Sequence, residues 1–223
     1  MKIRWCYLGL TPYEKAMKLM EGLREDVLNG AETEYLLFLE HPHTITRGYS
    51  EKGEESGLIS TREQIEKEGF EIVNTDRGGK TTLHNPGQLV GYMIFDLKRN
   101  KFRPKSFVDL IEKVIVLTLD TYELFATTVK GDPGIYVDSE KIAFLGLNIE
   151  KSVTTHGFSI NVRNDLRPFR HIVSCGQMDR RITSLLEILG DSASVYDVYW
   201  RFITCFEFLT GADVEEFQLD ELM

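Results

Sequence analysis

The sequence predicts an α+β fold with a mixed, mostly antiparallel sheet flanked by helices. Strand-like segments occur in pairs with helical patterns between them, without the regular strand-helix-strand alternation of a parallel sheet. Apolar segments at 135–137 and 141–148 flank Asp138-Ser139, which predicts a hairpin there. The length of 223 residues suits a single domain, 1–223, in which residues 190–223 form a helical C-terminal part.

Capping residues indicate where the helices begin. Thr11 is predicted to cap the first helix, with Pro12 at its first position and Glu14 completing a capping box, and Gly30 ends it. Ser106 to Asp109 predicts the start of a second long helix. The predicted strands are 1–10, 35–40, 71–75, 89–97 and 155–162, and the other predicted helices are 62–68, 181–189 and 195–209.

Charge and hydropathy limit the classes of partner. The net charge of -9 argues against nucleic acid as the main partner. Basic residues cluster at 98–105 and again between Arg163 and Arg181, where they are either solvated or bind an acidic partner. The longest apolar runs are far shorter than the roughly 20 residues that span a bilayer, and no signal-peptide segment follows the basic N-terminus. We therefore expect a cytoplasmic protein that does not insert into membranes.

The three cysteines, Cys6, Cys175 and Cys205, are an odd number at wide spacings. That pattern predicts neither a disulfide framework nor a metal site, both of which need closely paired cysteines. Cys6 and Cys205 have apolar neighbours and are predicted to be core residues. Cys175 follows Ser174, precedes a glycine and lies near basic residues, which favours a thiolate, but residue types alone leave a structural role equally open.

Three further segments combine glycine with polar side chains. Residues 77–88 contain Gly78-Gly79, which either brings backbone N–H groups close to a ligand or forms a simple hairpin turn. Their spacing fits neither a Walker A loop nor a dinucleotide-binding fingerprint. Lys141 begins an apolar strand, either as a reactive amine or as a hairpin-edge lysine in water. His156 is either a structural hydrogen-bonding residue or part of a site.

Taken in order, these segments resemble the lipoyl(octanoyl) transferases. The family motif Arg-Gly-Gly-x-x-Thr-x-His-Gly-Pro-Gly-Gln is similar to residues 77–88, and Lys-Ile-Ala-x-x-Gly is similar to 141–146. Thr-x-His-Gly-x-x-x-Asn-Val is similar to 154–162, and Pro-Cys-Gly to 174–176. Shorter similarities lie at 39–42, 165–169 and 182–185, and the order holds from about residue 36 to 186. Asn85 replaces a glycine, which would narrow the pocket or alter a turn, and Ser174 replaces a proline.

The resemblance implies the fold of the biotin and lipoate ligase catalytic domains, without a cofactor or metal. It implies transfer of octanoyl (or lipoyl) from acyl carrier protein to lipoyl domains of 2-oxoacid dehydrogenase E2 subunits and of the glycine cleavage H protein. Cys175 is then the acyl-thioester nucleophile, Lys141 its acid/base partner and His156 a supporting residue. The acyl site is then lined by Arg77, Gly78, Gly79, Lys80, Thr81, Thr82, Leu83, His84, Phe144, Leu145, Gly146, Gly157, Phe158 and Ser159.

Alternative functions fit the same implied fold. An ATP-dependent lipoate-protein ligase would need a nucleotide but no cysteine. A related amidotransferase would move octanoyl or lipoyl groups between carrier domains, and a non-catalytic acyl-binding or carrier-binding protein would form no covalent adduct. For a transferase, the backbone N–H groups of Gly78, Gly79 or Gly176 are the expected oxyanion donors.

Overall fold

The computed structural model describes residues 1–51, 53, 56–176 and 181–218, and of Cys175 it describes the backbone only. The strands are β1 (Lys2–Leu10), β2 (Glu34–Glu40), β3 (Thr44–Arg47), β4 (Glu71–Asn74), β5 (Thr81–His84), β6 (Gln88–Ile94), β7 (Ala126–Val129), β8 (Asp132–Val137), β9 (Glu140–Glu150), β10 (Val153–Asn161) and β11 (Asp213–Glu216). The helices are α1 (Tyr13–Leu28), α2 (Arg62–Lys67), α3 (Pro104–Asp120), α4 (Leu185–Leu189) and α5 (Val195–Thr210). Short 3-10 helices lie at Arg167–His171, Ser174–Gly176 and Gly190–Ser192.

The main sheet has eight strands in the order β11-β1-β2-β6-β10-β9-β8-β7. β1 pairs in parallel with both β2 and β11, and every other neighbouring pair is antiparallel. The prediction of a mixed, mostly antiparallel sheet is therefore confirmed. A second sheet has three strands in the order β4-β3-β5.

Helices cover both faces of the main sheet. On one face, Ala16 and Met20 of α1 pack with Leu37 and Tyr92 in one apolar cluster. On the other face, apolar side chains of α3 and α5 form a larger cluster with the sheet, which includes Phe107, Phe202 and Phe158. Burial of each such side chain contributes about 1.5–3 kcal/mol. The central strands are thus held rigidly from both sides.

The hairpin between β8 and β9 is confirmed. Val137 pairs with Glu140, so Asp138 and Ser139 form a two-residue loop. Both loop residues have positive φ, 47° and 70°, as a type I′ turn requires. The hairpin sets Lys141, near the start of β9, opposite Tyr136 of β8.

The predicted helix at 181–189 begins only at Leu185. The preceding residues are extended, because the Lys141 N–H donates to Arg181 O and the Thr183 N–H donates to Lys141 O. These two bonds form a short parallel bridge beside β9. The C-terminal part also contains the strand β11 besides helices.

Two helix starts differ from the predicted caps. The Thr11 hydroxyl donates at 3.0 Å to O of Leu8, which precedes it in the chain, and not to the helix. α1 therefore begins at Tyr13 without a side-chain cap. α3 begins at Pro104, where proline suits the first position. Among the described residues, no helix is both long and apolar enough to cross a bilayer.

Candidate active site

A cleft lies between the Gly78-Gly79 loop and the central strands β6, β9 and β10. It is lined by Tyr13, Arg77, Gly79, Lys80, Thr82, His84, Val90, Tyr92, Phe144, Leu145, Gly146, His156, Gly157, Phe158 and Ser159. The structure thus brings together residues that the sequence analysis selected from three separate segments.

Three of the predicted lining residues do not line this cleft. In β5 successive side chains alternate, so Thr82 and His84 lie in the cleft while Leu83 packs in the apolar core beside the three-stranded sheet. Thr81, on the same side as Leu83, donates its hydroxyl hydrogen to Glu51. The third, Gly78, lines an adjoining groove together with Pro104 and Lys105.

Three lining residues were not predicted from the sequence. Tyr13 belongs to α1, and Val90 and Tyr92 belong to β6. Their signal in the sequence was only apolar periodicity, which does not reveal which distant strands pair. Tyr13 donates its hydroxyl hydrogen to Thr75 Oγ1 at 3.0 Å, which ties α1 to the chain just before the glycine loop.

Arg77 holds the glycine loop in place. Its Nε donates to Thr46 Oγ1 at 3.0 Å, and its Nη2 donates to Thr46 O at 2.7 Å and to Lys80 O at 2.6 Å. Gly146 of β9 allows the loop to pack directly on the strand, because an added Cβ there would lie 2.9 Å from Gly78 O. These hydrogen bonds fix the guanidinium in place, and it thereby holds the loop that forms one wall of the cleft.

Two buried histidines beside the cleft are neutral. His41 Nδ1 donates to Thr11 O at 2.7 Å, so its Nε2 accepts the Tyr92 hydroxyl hydrogen at 2.7 Å. His84 Nδ1 donates to Gln88 Oε1 at 2.6 Å. Burial lowers the pKa of His41 to about 4 and that of His84 to about 3. At neutral pH this end of the cleft therefore carries no imidazolium charge.

His156, a proposed supporting residue, is fixed by its backbone and by a hydrogen bond to Asp76. It has a positive φ of 57°, uncommon for a residue other than glycine. Its Nε2 lies 2.8 Å from Oδ1 of Asp76, and this hydrogen bond lowers the pKa of the Asp76 carboxyl to about 2. The imidazole both lines the cleft and links β10 to the segment before the glycine loop.

Lys141 is fully buried, not a hairpin-edge lysine in water. Its Nζ donates to Asp132 Oδ1 at 3.0 Å and to Pro133 O at 2.8 Å. It also lies 5.3 Å from the centre of the Phe144 ring, which lines the cleft, a distance at which a cation is attracted to the ring face. Gly134 makes room for the chain, since an added Cβ would lie 2.8 Å from Nζ.

Cys175 lies in the 3-10 helix Ser174–Gly176, whose backbone runs close to that of β5. A Cβ at Gly176 would lie 2.6 Å from Nζ of Lys80, a cleft residue. The residue after Cys175 therefore lies close to Lys80, which lines the cleft. The thiol of Cys175 lies outside what the structure describes. The buried hydroxyls of Ser174 and of Thr82, which lines the cleft, have no hydrogen-bond partner among the described residues.

The other two cysteines are poor nucleophiles. Both are buried core residues, as predicted. Burial raises the pKa of the Cys6 thiol to about 12 and also raises that of Cys205. Since the thiolate is the reactive form, neither thiol competes with Cys175 as a candidate.

Two expectations about the loops need correction. The N–H of Gly78 donates to Leu147 O at 3.0 Å and that of Gly176 donates to Val173 O at 3.0 Å, so neither is available to an oxyanion. Asn85 does not narrow the cleft. Its side chain donates to Asp165 O at 2.8 Å, and Asn85 is not among the residues that line the cleft.

Comparison with known proteins agrees with the motifs. The lipoyl protein ligase A/B catalytic domain family matches residues 12–207. An octanoyltransferase of Alkaliphilus metalliredigens is 39% identical over 184 residues, which is 82% of this chain and 84% of that protein. An octanoyltransferase of Caldicellulosiruptor saccharolyticus is 36% identical over 226 residues, covering 97% of this chain and 95% of that protein.

Solved structures support the same fold. A lipoate-protein ligase A bound with ATP aligns with a TM-score of 0.80 at 18% identity, covering 100% of this chain and 92% of that one. A biotin protein ligase from Aquifex aeolicus aligns with a TM-score of 0.51 at 13% identity, covering 93% and 69%. Together with the sequence matches they confirm a transferase enzyme on the predicted fold, and octanoyl transfer in lipoylation is the activity that the relatives support. The chain therefore belongs to the lipoyl protein ligase A/B catalytic domain family, among its octanoyltransferases.

Proposed function

We propose that this chain transfers an octanoyl group from acyl carrier protein to the lysine of a lipoyl domain, through a thioester on Cys175. The observation that carries the proposal is the buried Lys141 ammonium, which sits over the Phe144 ring at the edge of the acyl cleft. A nearby cation favours the thiolate form of a cysteine. The proposed pair thus supplies both a nucleophile and a proton carrier at one end of the cleft.

In the first half-reaction, the Cys175 thiolate attacks the thioester carbonyl of the donor. The bond from carbonyl carbon to carrier sulfur breaks, and the departing thiolate takes a proton from the Lys141 ammonium. The products are an acyl-enzyme, a free carrier thiol and a neutral Lys141 amine. The apolar side chains of Phe144, Leu145 and Phe158 would hold the octanoyl chain in the cleft.

In the second half-reaction, the amine of the target lysine attacks the acyl-enzyme. Neutral Lys141 accepts the proton that this nitrogen loses, and the Cys175 thiolate leaves. The initial ion pair is thereby restored. Transfer from a thioester to an amide is downhill, so the proposed cycle consumes no nucleotide. The N–H of Gly79 and the hydroxyl of Thr82 are the proposed oxyanion donors, each contributing about 3 kcal/mol.

The proposed partners are acyl carrier protein as donor, and lipoyl domains of E2 subunits and of glycine cleavage H protein as acceptors. The groove beside the cleft joins Gly79 and Lys80 to Lys105 of the basic segment 98–105. Within that segment Arg99 is committed to the buried carboxylate of Glu34, at 2.7 Å, while Lys101 and Lys105 are exposed. The exposed lysines would attract an acidic donor protein to the mouth of the cleft. We place the reaction in the cytoplasm, where thiols stay reduced.

Intact-mass measurement after incubation with octanoyl-carrier protein, without nucleotide, tests the proposal. We expect a single octanoyl adduct on the wild-type chain and none on Cys175→Ala. Cys205→Ala is the matched control and should still be acylated. An adduct on Cys175→Ala would mean that another residue carries the acyl group and would contradict the assignment of Cys175, whereas transfer that requires ATP would favour the ligase alternative. No adduct with any donor would favour a non-catalytic binding protein.

Charge reversal tests the donor surface. Lys101→Glu with Lys105→Glu should slow acylation by the carrier and flatten its salt dependence, because both charges face the donor. Acylation by a small octanoyl thioester should stay unchanged. Lys113→Glu, farther along α3 from the cleft, is the matched control. Equal rates for both charge-reversed proteins would contradict the assignment of this surface.

A further inference from the structure

One carboxylate is shared between Lys141 and a phenol. The Lys141 ammonium donates to Oδ1 of Asp132 at 3.0 Å. The hydroxyl of Tyr136 donates to the other oxygen, Oδ2, at 2.7 Å. Lys141 is fully buried, whereas 19% of the Asp132 side chain is exposed. The carboxylate thus bridges an enclosed cation and a neighbouring hydroxyl, and both of its oxygens accept hydrogen bonds.

The hairpin makes this arrangement rigid. Asp132 and Tyr136 belong to β8, and the register places Tyr136 directly opposite Lys141 of β9. The Lys141 ammonium lies 5.4 Å from the centre of the Tyr136 ring as well as 5.3 Å from that of Phe144. Asp132 also lines the groove that joins the cleft. Asp132 therefore contacts the ammonium and also borders the groove along the proposed donor path.

We propose that Asp132, oriented by Tyr136, is a positioning residue that aims the Lys141 ammonium at the reacting sulfur and supplies its counter-charge. The inference rests on the proposed function of Lys141. Asp132 itself neither gains nor loses a proton in the cycle. It holds the amine in one place while the proton leaves Lys141 for the carrier thiolate and returns from the acceptor nitrogen.

Several charged groups surround this amine. From β8 it faces Asp132 and the Tyr136 hydroxyl, and from α3 the Glu112 carboxylate interacts with it electrostatically. From its own strand and the adjoining segment, Glu140 and Arg181 lie 4.0 Å apart as a pair. Asp132 is in direct contact with the Lys141 amine, so removing the charge of Asp132 favours the neutral form of the amine. In general, an opposite charge at this range moves a pKa by about 1–3 pH units.

The decisive experiment measures the second half-reaction alone. Acyl-enzyme is formed on Cys175 and mixed with a lipoyl domain across a range of pH. In Asp132→Asn we expect the acid limb of the transfer rate to move to lower pH by about 1–3 units, and the maximal rate to fall. Tyr136→Phe keeps the carboxylate charge but loosens it, so it should lower the maximal rate and leave the limb in place.

Asp138→Asn is the matched control, because Asp138 is exposed in the turn of the same hairpin. It should change neither the limb nor the rate. An unmoved limb in folded, wild-type-like Asp132→Asn would overturn the inference. Should that variant not fold, Asp132→Glu and Tyr136→Phe decide: both keep the charge, and a wild-type maximal rate in both would refute positioning. Failure of the proposed function itself is distinct, since the wild type would then form no acyl-enzyme.

Discussion

Acid should destabilise this fold through two of its buried histidines, His41 and His84, at a higher pH than that at which its lowered-pKa carboxylates titrate. A histidine in the unfolded chain has a pKa near 6.5, whereas the folded pKa values are about 4 for His41 and about 3 for His84. Between pH 6.5 and 4 the unfolded chain therefore binds protons that the folded protein excludes. The contribution of the two neutral imidazoles to the free energy of unfolding is fully present above pH 6.5. It is lost as the pH falls toward their folded pKa values.

The magnitude follows from the two shifts. Each histidine lowers the free energy of unfolding by about 1.4 kcal/mol per pH unit in this window, so the pair contributes about 2.7 kcal/mol per unit. For His41 alone the loss reaches about 3 kcal/mol by pH 4. The lowered carboxyl pKa values, as of Asp76 at about 2, contribute only at lower pH. The interval from pH 6 to 5 thus isolates the imidazoles.

Urea unfolding at constant ionic strength measures this slope. His41→Gln removes the titration while keeping a donor and an acceptor for Thr11 and Tyr92, so its slope should be about 1.4 kcal/mol per unit shallower than that of the wild type. The control is His43→Gln, because His43 is exposed to solvent in the folded protein as in the unfolded chain. Equal slopes for wild type and His41→Gln would refute the assignment of a buried neutral imidazole.

Glycine positions give three further predictions. Gly134→Ala would place a Cβ against the side chain of Lys141, so transfer should fall by at least about tenfold in single-turnover assays, the equivalent of 1.4 kcal/mol, and near-wild-type transfer would contradict the position of the lysine. Gly157→Ala would press a Cβ into the backbone oxygen of Gly91 on β6, and should lower the free energy of unfolding by about 1–3 kcal/mol in urea. Gly22→Ala, on the exposed face of α1 with nothing within 4 Å, should raise it by about 0.5–1 kcal/mol. A destabilised Gly22→Ala protein would mean that this helix position is more crowded than the structure indicates.

Local patterns predicted the long elements and the turn. Local patterns located α1, α3 and α5, although α1 lacks the predicted Thr11 cap and α3 begins at Pro104. The hairpin at Asp138-Ser139 followed from its flanking apolar segments. The short strands β3 and β5 were missed, because each has only four residues and a single apolar one, which is too short a pattern to show an alternation of period two. β11 was missed because its acidic residues, Asp213 to Glu216, give no apolar signal and pairing with β1 is a distant contact.

The segments that line the cleft were predictable from the sequence, but which side chains of each strand face the cleft was not. The motif resemblance selected residues 77–84 as a block, whereas the strand alternation of β5 puts only Thr82 and His84 in the cleft. Tyr92 could not be found, since its place depends on β6 pairing with β10, some 65 positions along the chain at Gly157. Which residues line the cleft therefore depends on the packing of the sheet, and that packing joins residues far apart in the sequence.

The burial of Lys141 depends on residues of the neighbouring strand and could not be predicted from the residues beside it in the sequence. A lysine at a hairpin is usually solvated, because enclosing a lone ammonium is costly, and this one is enclosed only because β8 compensates. Alternate residues of that strand, Asp132, Gly134 and Tyr136, provide a counter-charge, the space and a hydrogen bond to the counter-charge. Their spacing of two was present in the sequence, together with a hairpin that sets them against Lys141. An acidic residue, a glycine and a tyrosine at alternate positions of one hairpin strand, opposite a lysine on the other, therefore predict a buried amine better than the lysine and its own neighbours do.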